Sequence, residues 1–178
     1  MKVINLDELT LRAPEPEDIN FILRLENDAE MMNVANATGM YSRYQIQQYI
    51  ENNQNDLYAD RQLRFMIVHP VDECIGAIDL FSFEPRHSRI EVGIAVMAGY
   101  RRKGVARWAL AQVEQYCFRR LNLHQIYAYV AATNEASIRL FEQCGYRQAG
   151  VLQDWIAKGR QYHDVFVYQK LNNEDTVR

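Results

Sequence analysis

Apolar and polar residues alternate along Leu9-Thr10-Leu11-Arg12, the spacing of a short strand that Pro14 and Pro16 then stop. From Glu17 the period becomes helical, with Ile19, Ile22, Leu23 and Leu25 on one face. Ser42 reads as the N-cap of a second helix that presents Ile46, Tyr49 and Ile50. The stretch between them, Met31 to Tyr41, carries Gly39 and several Asn and Ala residues and is expected to be a loop. Leu63 to Val68 and Cys74 to Phe83 are β-rich runs joined by His69-Pro70-Val71-Asp72-Glu73, a hairpin signal. Arg89 to Met97 alternates strictly, putting Ile90, Val92, Ile94 and Val96 on one face and Glu91, Gly93 and Ala95 on the other. A long helix follows from about Gly104 to Leu121, with Ala106, Leu110, Val113, Cys117 and Leu121 as its expected buried stripe. Next come a strand at Gln125 to Val130, a helix at about Glu135 to Cys144 and a strand-like stretch from Tyr146 to Trp155. Lys158-Gly159 marks a turn, and Val165 to Tyr168 forms a last strand.

That order, a run of strands interrupted by crossover helices, predicts an α+β fold with a mostly antiparallel sheet. No repeat, low-complexity tract or Pro/Gly/Ser linker divides the chain, so a single domain over residues 1–178 is expected, its last few residues a flexible tail.

Composition narrows the class. Hydrophobic residues make up 48% and charged residues 24%, which argues against intrinsic disorder. With 20 Lys and Arg against 23 Asp and Glu the net charge is -3, so no global attraction to nucleic acid is expected. No stretch approaches the roughly 18–20 consecutive apolar residues of a membrane span. The opening Met1-Lys2-Val3-Ile4-Asn5-Leu6-Asp7-Glu8 meets acids before a signal-peptide core can form. The three cysteines, Cys74, Cys117 and Cys144, are odd in number and widely spaced, and read as buried thiols of a reducing, cytoplasmic compartment.

The chemistry concentrates where the alternating strand ends. Val96-Met97-Ala98-Gly99-Tyr100-Arg101-Arg102-Lys103-Gly104-Val105-Ala106 leaves a strand, turns and enters a helix at a glycine. A helix start offers unpaired N–H groups and the positive end of the dipole, a site for phosphate. Gly104 lacks the Cβ that would hold a pyrophosphate off the backbone, Ala106 keeps the first turn slim, and Arg101, Arg102 and Lys103 add positive charge. On the turn alone, a solvated basic turn is an equal reading. It is neither a Walker loop nor a dinucleotide fingerprint, since neither glycine spacing is present.

A second segment shifts the balance toward the phosphate site. Asn134-Glu135-Ala136-Ser137-Ile138-Arg139-Leu140-Phe141-Glu142-Gln143-Cys144-Gly145-Tyr146 opens a helix after a strand and closes it with glycine. The pair Arg-x-x-Gly-x-Ala and, about 30 residues on, Asn-x-x-Ser-x-x-Leu-Phe-x-x-x-Gly-Tyr resembles the GNAT (Gcn5-related) N-acetyltransferases. Leu11-Arg12 with the following Pro-Glu-Asp, and the Gly150 to Tyr162 hairpin, resemble the branch of ribosomal-protein N-terminal and spermidine N-acetyltransferases.

The resemblance implies a mixed, mostly antiparallel sheet with a splayed parallel strand pair, flanked by about four helices. It also implies acetyl-CoA as co-substrate and no metal. The turn Arg101, Arg102, Lys103, Gly104, Val105, Ala106 would hold the pyrophosphate, and Ile94, Ala95 and Val96 would pair with the pantetheine arm like an added strand. Asn134 would hold the donor through its side-chain amide. The thioester would lie where the strand of Glu91 and the strand Gln125 to Val130 splay apart, with a backbone N–H near Val96 facing the oxyanion. By the resemblance, Glu91 matches the position of the general-base glutamate of the Gcn5 histone acetyltransferases; its alternative is a structural carboxylate that orients a neighbour. The family's usual thiolate-protonating tyrosine is replaced by Phe141. Ser137, one helical turn earlier on the same face, is then the candidate acid, and an ordinary helix-start hydroxyl is its alternative.

The acceptor would be a small-molecule amine, with a protein N-terminus as the alternative; a third reading is a non-catalytic acyl-CoA sensor. Asp28, Glu30, Glu51, Asp56 and Asp60 lie in the acceptor region without forming a dense acidic cluster. Tyr41, Tyr44, Tyr49 and Tyr58 read first as core and rim aromatics there, and Tyr146 as a core residue. His69, His87, His124 and His163 show no ligand spacing and read as surface residues. A homodimer is expected by analogy, and neither nucleic acid nor membrane as a partner.

Overall fold

The computed structural model describes residues 4–28, 39–71 and 73–172. Its strands are β1 (Thr10–Arg12), β2 (Leu63–His69), β3 (Glu73–Glu84), β4 (Arg89–Val96), β5 (Gln125–Ala131), β6 (Arg147–Lys158) and β7 (Gln161–Leu171). Its α-helices are α1 (Ile19–Glu26), α2 (Arg43–Asn52), α3 (Leu57–Asp60), α4 (Val105–Gln115) and α5 (Glu135–Gln143). The strands form one seven-stranded sheet in the order β1-β2-β3-β4-β5-β7-β6. The sheet is mostly antiparallel, and β4–β5 is its parallel pair. That ladder covers Arg89↔Gln125, Ile90↔Ile126 and Glu91↔Tyr127, while β4 runs on to Val96 and β5 to Ala131.

By internal contacts the chain falls into two compact units, Met1–Asp79 with Ile94–Ala106, and Leu80–Gly93 with Arg107–Arg178. In the first, the apolar face of α1 (Ile19, Phe21, Ile22, Leu25) packs with Ile46 of α2, Met66 of β2 and Ala77 of β3. The start of α1 is pinned by Asp18, which takes both guanidinium arms of Arg12 at 2.6 and 2.9 Å, the Glu15 N–H at 2.8 Å and the Cys74 thiol at 3.0 Å. Burial pushes the Asp18 pKa up, but these donors outweigh it and hold the carboxyl below its ordinary value. Arg64 of β2 is the other polar centre, bound to Asp79 at 2.6 and 2.9 Å and to Glu26 at 2.7 Å, with its guanidinium 5.8 Å from the Tyr49 ring centre. In the second unit, Phe141 of α5 lies edge-on to Tyr146 (centroids 5.0 Å) and nearly parallel to Tyr168 of β7 (6.2 Å).

Several expectations are corrected. The buried stripe of α4 is Val105, Ala109, Leu110, Val113 and Cys117, not one that includes Ala106 and Leu121. The helix begins one residue after Gly104, and its last turn, Tyr116–Arg120, widens to a π-turn, so a strict 3.6-residue count drifts off the face. α3 was unexpected because only four residues form it, although its N-cap signal is present: Asp56 accepts from Tyr58 N–H at 2.7 Å. β7 extends well beyond Val165–Tyr168 because ladder bonds to β5 and β6, not apolar alternation, hold its ends. His69 is buried at 6% exposure, not on the surface; its Nδ1 accepts the Val71 N–H at 3.3 Å. Cys117 is fully buried, whereas Cys74 and Cys144 are half-buried; all three are free thiols. Most of the expected loop, Glu30 with it, and the expected tail lie outside the described residues.

Candidate active site

At the end of β4, Ile94 and Ala95 are half-buried and Val96 is buried. Met97 N–H then bonds Ile75 O at 2.9 Å, and a 3₁₀ turn, Ala98–Tyr100, carries the chain away. The basic side chains here are largely used by the turn itself. Arg101 Nε donates to the Val96 carbonyl at 2.8 Å; Lys103 Nζ donates to Gly99 O at 2.7 Å and lies 5.6 Å over the Tyr100 ring. Arg102 is exposed, with φ +58. Gly104 has φ +82, and a Cβ on it would stand 3.1 Å from Leu6 Cδ1. Handedness favours this glycine, with the Leu6 side chain close beside it, a reason distinct from phosphate clearance.

Gly104 has a second consequence. α2 is capped by Ser42, which accepts from Gln45 N–H at 3.2 Å, and α5 by Asn134, which accepts from Ser137 N–H at 3.1 Å. The residue before α4 has no side chain to do the same. The first-turn N–H groups of α4, at the positive end of its dipole, suit an external anion.

Glu91 stands on β4 three residues before Ile94, half-buried, with Ser82 Oγ donating to its Oε2 at 3.2 Å. Burial pushes its pKa up, and the Ser82 hydrogen bond works against the rise. Tyr127 is its ladder partner on β5; burial, then the Glu91 charge, raise the phenol as well. Gly93 follows on the same face, where a Cβ would stand 2.9 Å from the Phe81 ring, so the glycine lets that ring approach β4 closely.

On α5, Asn134 spends its amide oxygen on the cap, which leaves the Nδ2 end to donate. Ser137 is half-buried. Phe141 is only 4% exposed and belongs to the Tyr146–Tyr168 aromatic cluster. Tyr146, at 3%, is a core residue as expected, and burial followed by Glu114 holds its phenol well above the ordinary value.

This arrangement has a counterpart among known proteins: residues 8–147 match the acetyltransferase (GNAT) domain family. The chain is a GNAT acetyltransferase. It is 30% identical to a spermidine N(1)-acetyltransferase of Vibrio cholerae over 159 residues, 89% of this chain and 90% of that one. An uncharacterized N-acetyltransferase, p20, of Bacillus licheniformis is 32% identical over 177 residues, 98% of each chain. The spermidine N-acetyltransferase of Vibrio cholerae solved with CoA and spermine superposes with a TM-score of 0.84 at 28% identity, covering 93% of this chain and 96% of that one. A further structure of the Vibrio enzyme is dodecameric. The protein is thus an acetyl-CoA-dependent N-acetyltransferase.

For such an enzyme the thiols bear on mechanism. Burial, then Asp18, pushes the Cys74 pKa up to about 12, and burial, then Glu114, does the same for Cys117. Burial also raises Cys144. All three are held protonated and are poor nucleophiles, which disfavours an acetyl-cysteine intermediate in this acetyltransferase. Among the described residues, no group of three or more His, Cys, Asp or Glu has the arrangement to hold a metal ion.

Proposed function

We propose that this acetyltransferase acts on a small primary amine, with Glu91 as the base. The amine nitrogen attacks the thioester carbonyl carbon of acetyl-CoA and passes its proton to Glu91, directly or through one water. The C–N bond forms first, giving a tetrahedral oxyanion that faces a backbone N–H near Val96; its collapse breaks the C–S bond, and the departing thiolate takes up a proton. A thiol pKa near ~8.5 makes that departure easy, so Phe141 in place of a tyrosine is tolerable and Ser137 serves as the nearby donor. Gly104, Val105 and Ala106 bind the pyrophosphate through backbone N–H groups, with Arg102 as the facing cation. Arg101 and Lys103 instead stiffen the turn. Ile94, Ala95 and Val96 pair with the pantetheine arm, and Asn134 Nδ2 donates to the donor substrate.

The observation that carries this reading is Glu91, a half-buried carboxyl with a raised pKa on the strand that leads into the phosphate turn. A small acceptor is favoured because the chain is 30% identical to a spermidine N(1)-acetyltransferase over 89% of its length and superposes on one solved with CoA and spermine. The carboxylates of the expected acceptor region bind local N–H groups. Glu51 accepts from Gln47 and Gln48, Asp56 from Tyr58 N–H, and Asp60 from Gln54 N–H. The test is thiol release from acetyl-CoA with two acceptor pools, one of polyamines and other small amines, one of short peptides with free N-termini. Release with the first pool alone is expected. Release with peptides alone assigns protein acetylation, and binding without release from either pool leaves a sensor or an acceptor outside both pools.

We read the chain as one acetyltransferase domain of a reducing, cytoplasmic compartment that self-associates. The largely exposed edge strand β6, with Trp155 63% exposed, and Tyr162 at the start of its partner β7, 65% exposed, support the association. Light scattering is expected to give a mass that is a multiple of 20.9 kDa, reduced in Trp155→Glu; a monomer at tens of micromolar contradicts it.

A further inference from the structure

β3 leaves the extended conformation at Ser82, whose φ is +48. Seven other described non-glycine residues also have positive φ, so what distinguishes Ser82 is where the kink sends its hydroxyl. The kink here has a visible result, the 3.2 Å bond from Ser82 Oγ to Oε2 of Glu91. Ser82 and Tyr127 meet at that carboxyl, and Arg89 and Tyr129 lie around Tyr127. Ser82 comes from β3, Arg89 from β4 itself, and Tyr127, its ladder partner, from β5 with Tyr129 edge-on at 5.7 Å. Ser82 donates to Glu91, and the same hydroxyl is hydrogen-bonded to the Tyr127 phenol.

We propose that Ser82 is a positioning residue for acetyl transfer: its hydroxyl, turned toward β4 by the left-handed backbone, fixes Oε2 of Glu91 and leaves Oε1 to take the amine proton. This rests on the reading of Glu91 as the base. A hydrogen bond to a carboxylate favours its charged form, so it offsets what burial does to Glu91 and keeps the base ionised toward lower pH. The hydroxyl therefore acts on the pH range of the reaction more than on its maximum rate.

Two substitutions remove the hydroxyl differently. Ser82→Gly accepts a positive φ without strain, and Ser82→Ala keeps a side chain in strained backbone. Ser82→Asn tolerates the left-handed region and returns an N–H donor. The readout is kcat/KM against pH with the amine that supports release in the unsubstituted enzyme, beside Glu91→Gln. In both Gly and Ala variants the acidic limb is expected to move to higher pH, with activity on that limb falling about two- to tenfold and the plateau largely kept. Asn is expected to move the limb back. If the Gly and Ala profiles coincide with the parent while Glu91→Gln is inactive, Ser82 only shapes β3 and the inference fails. If Glu91→Gln keeps full activity, the base reading fails and takes this inference with it.

Discussion

Replacing Arg64 by leucine is expected to destabilise the fold by about 3–5 kcal/mol, the usual cost of removing one partner of a buried ion pair. Arg64 bonds Asp79 through two nitrogens and Glu26 through a third, and these side chains are only 13–22% exposed. Burial disfavours the guanidinium charge, but Asp79 and then Glu26 more than compensate, and the net effect raises its pKa. Leucine leaves two carboxylates facing each other with no cation and removes the guanidinium beneath Tyr49. Urea unfolding at neutral pH checks this. Replacing Arg64, Glu26 and Asp79 together by apolar or amide residues of similar volume should recover most of the loss, because the penalty lies in the stranded charges. A loss under about 1 kcal/mol for the single variant would show that water already solvates the triad.

Glu91→Gln is expected to lower kcat/KM by roughly 10²- to 10⁴-fold, the range general base catalysis supplies, and to abolish the acidic limb of the pH profile. The fold should not suffer. A carboxyl whose folded pKa is raised by burial adds stability while it is protonated, fully so below its unfolded pKa. That stability is lost as pH rises through the raised folded value. At neutral pH the ionised Glu91 is therefore a small burden, and the amide variant should unfold at the same or slightly higher denaturant. Equal activity of Glu91→Gln and parent at pH 7 would reduce Glu91 to a structural carboxylate.

The strands were legible wherever burial is one-sided. β4 alternates strictly, and Ile90, Val92 and Val96 are buried where the pattern placed them. Helix starts were legible where a capping side chain announces them, as at Ser42 and Asn134. Elements held by backbone ladders, such as the ends of β6 and β7, carry no such signature. Nor does the π-turn after α4, which shifts the buried face.

At the site, the residue types of the phosphate turn could be read, but their division of labour could not. Spacing marks Arg101, Arg102 and Lys103 alike as phosphate cations, yet Arg101 and Lys103 donate to Val96 and Gly99 carbonyls. Ser82 left one faint trace, a lone polar residue between Phe81 and Phe83 in an apolar run. Its meaning depends on a backbone φ that no side-chain pattern encodes. His69 shows the converse: a turn signal beside it concealed a buried ring.

The most direct test of direct transfer from acetyl-CoA is thiol release followed from the first turnover, with and without amine, alongside the mass of the protein. The account predicts release only when amine is present, one thiol for each acetylated amine, and a protein of unchanged mass throughout. A burst of thiol without acceptor, with an acetyl group retained on the chain, would contradict it.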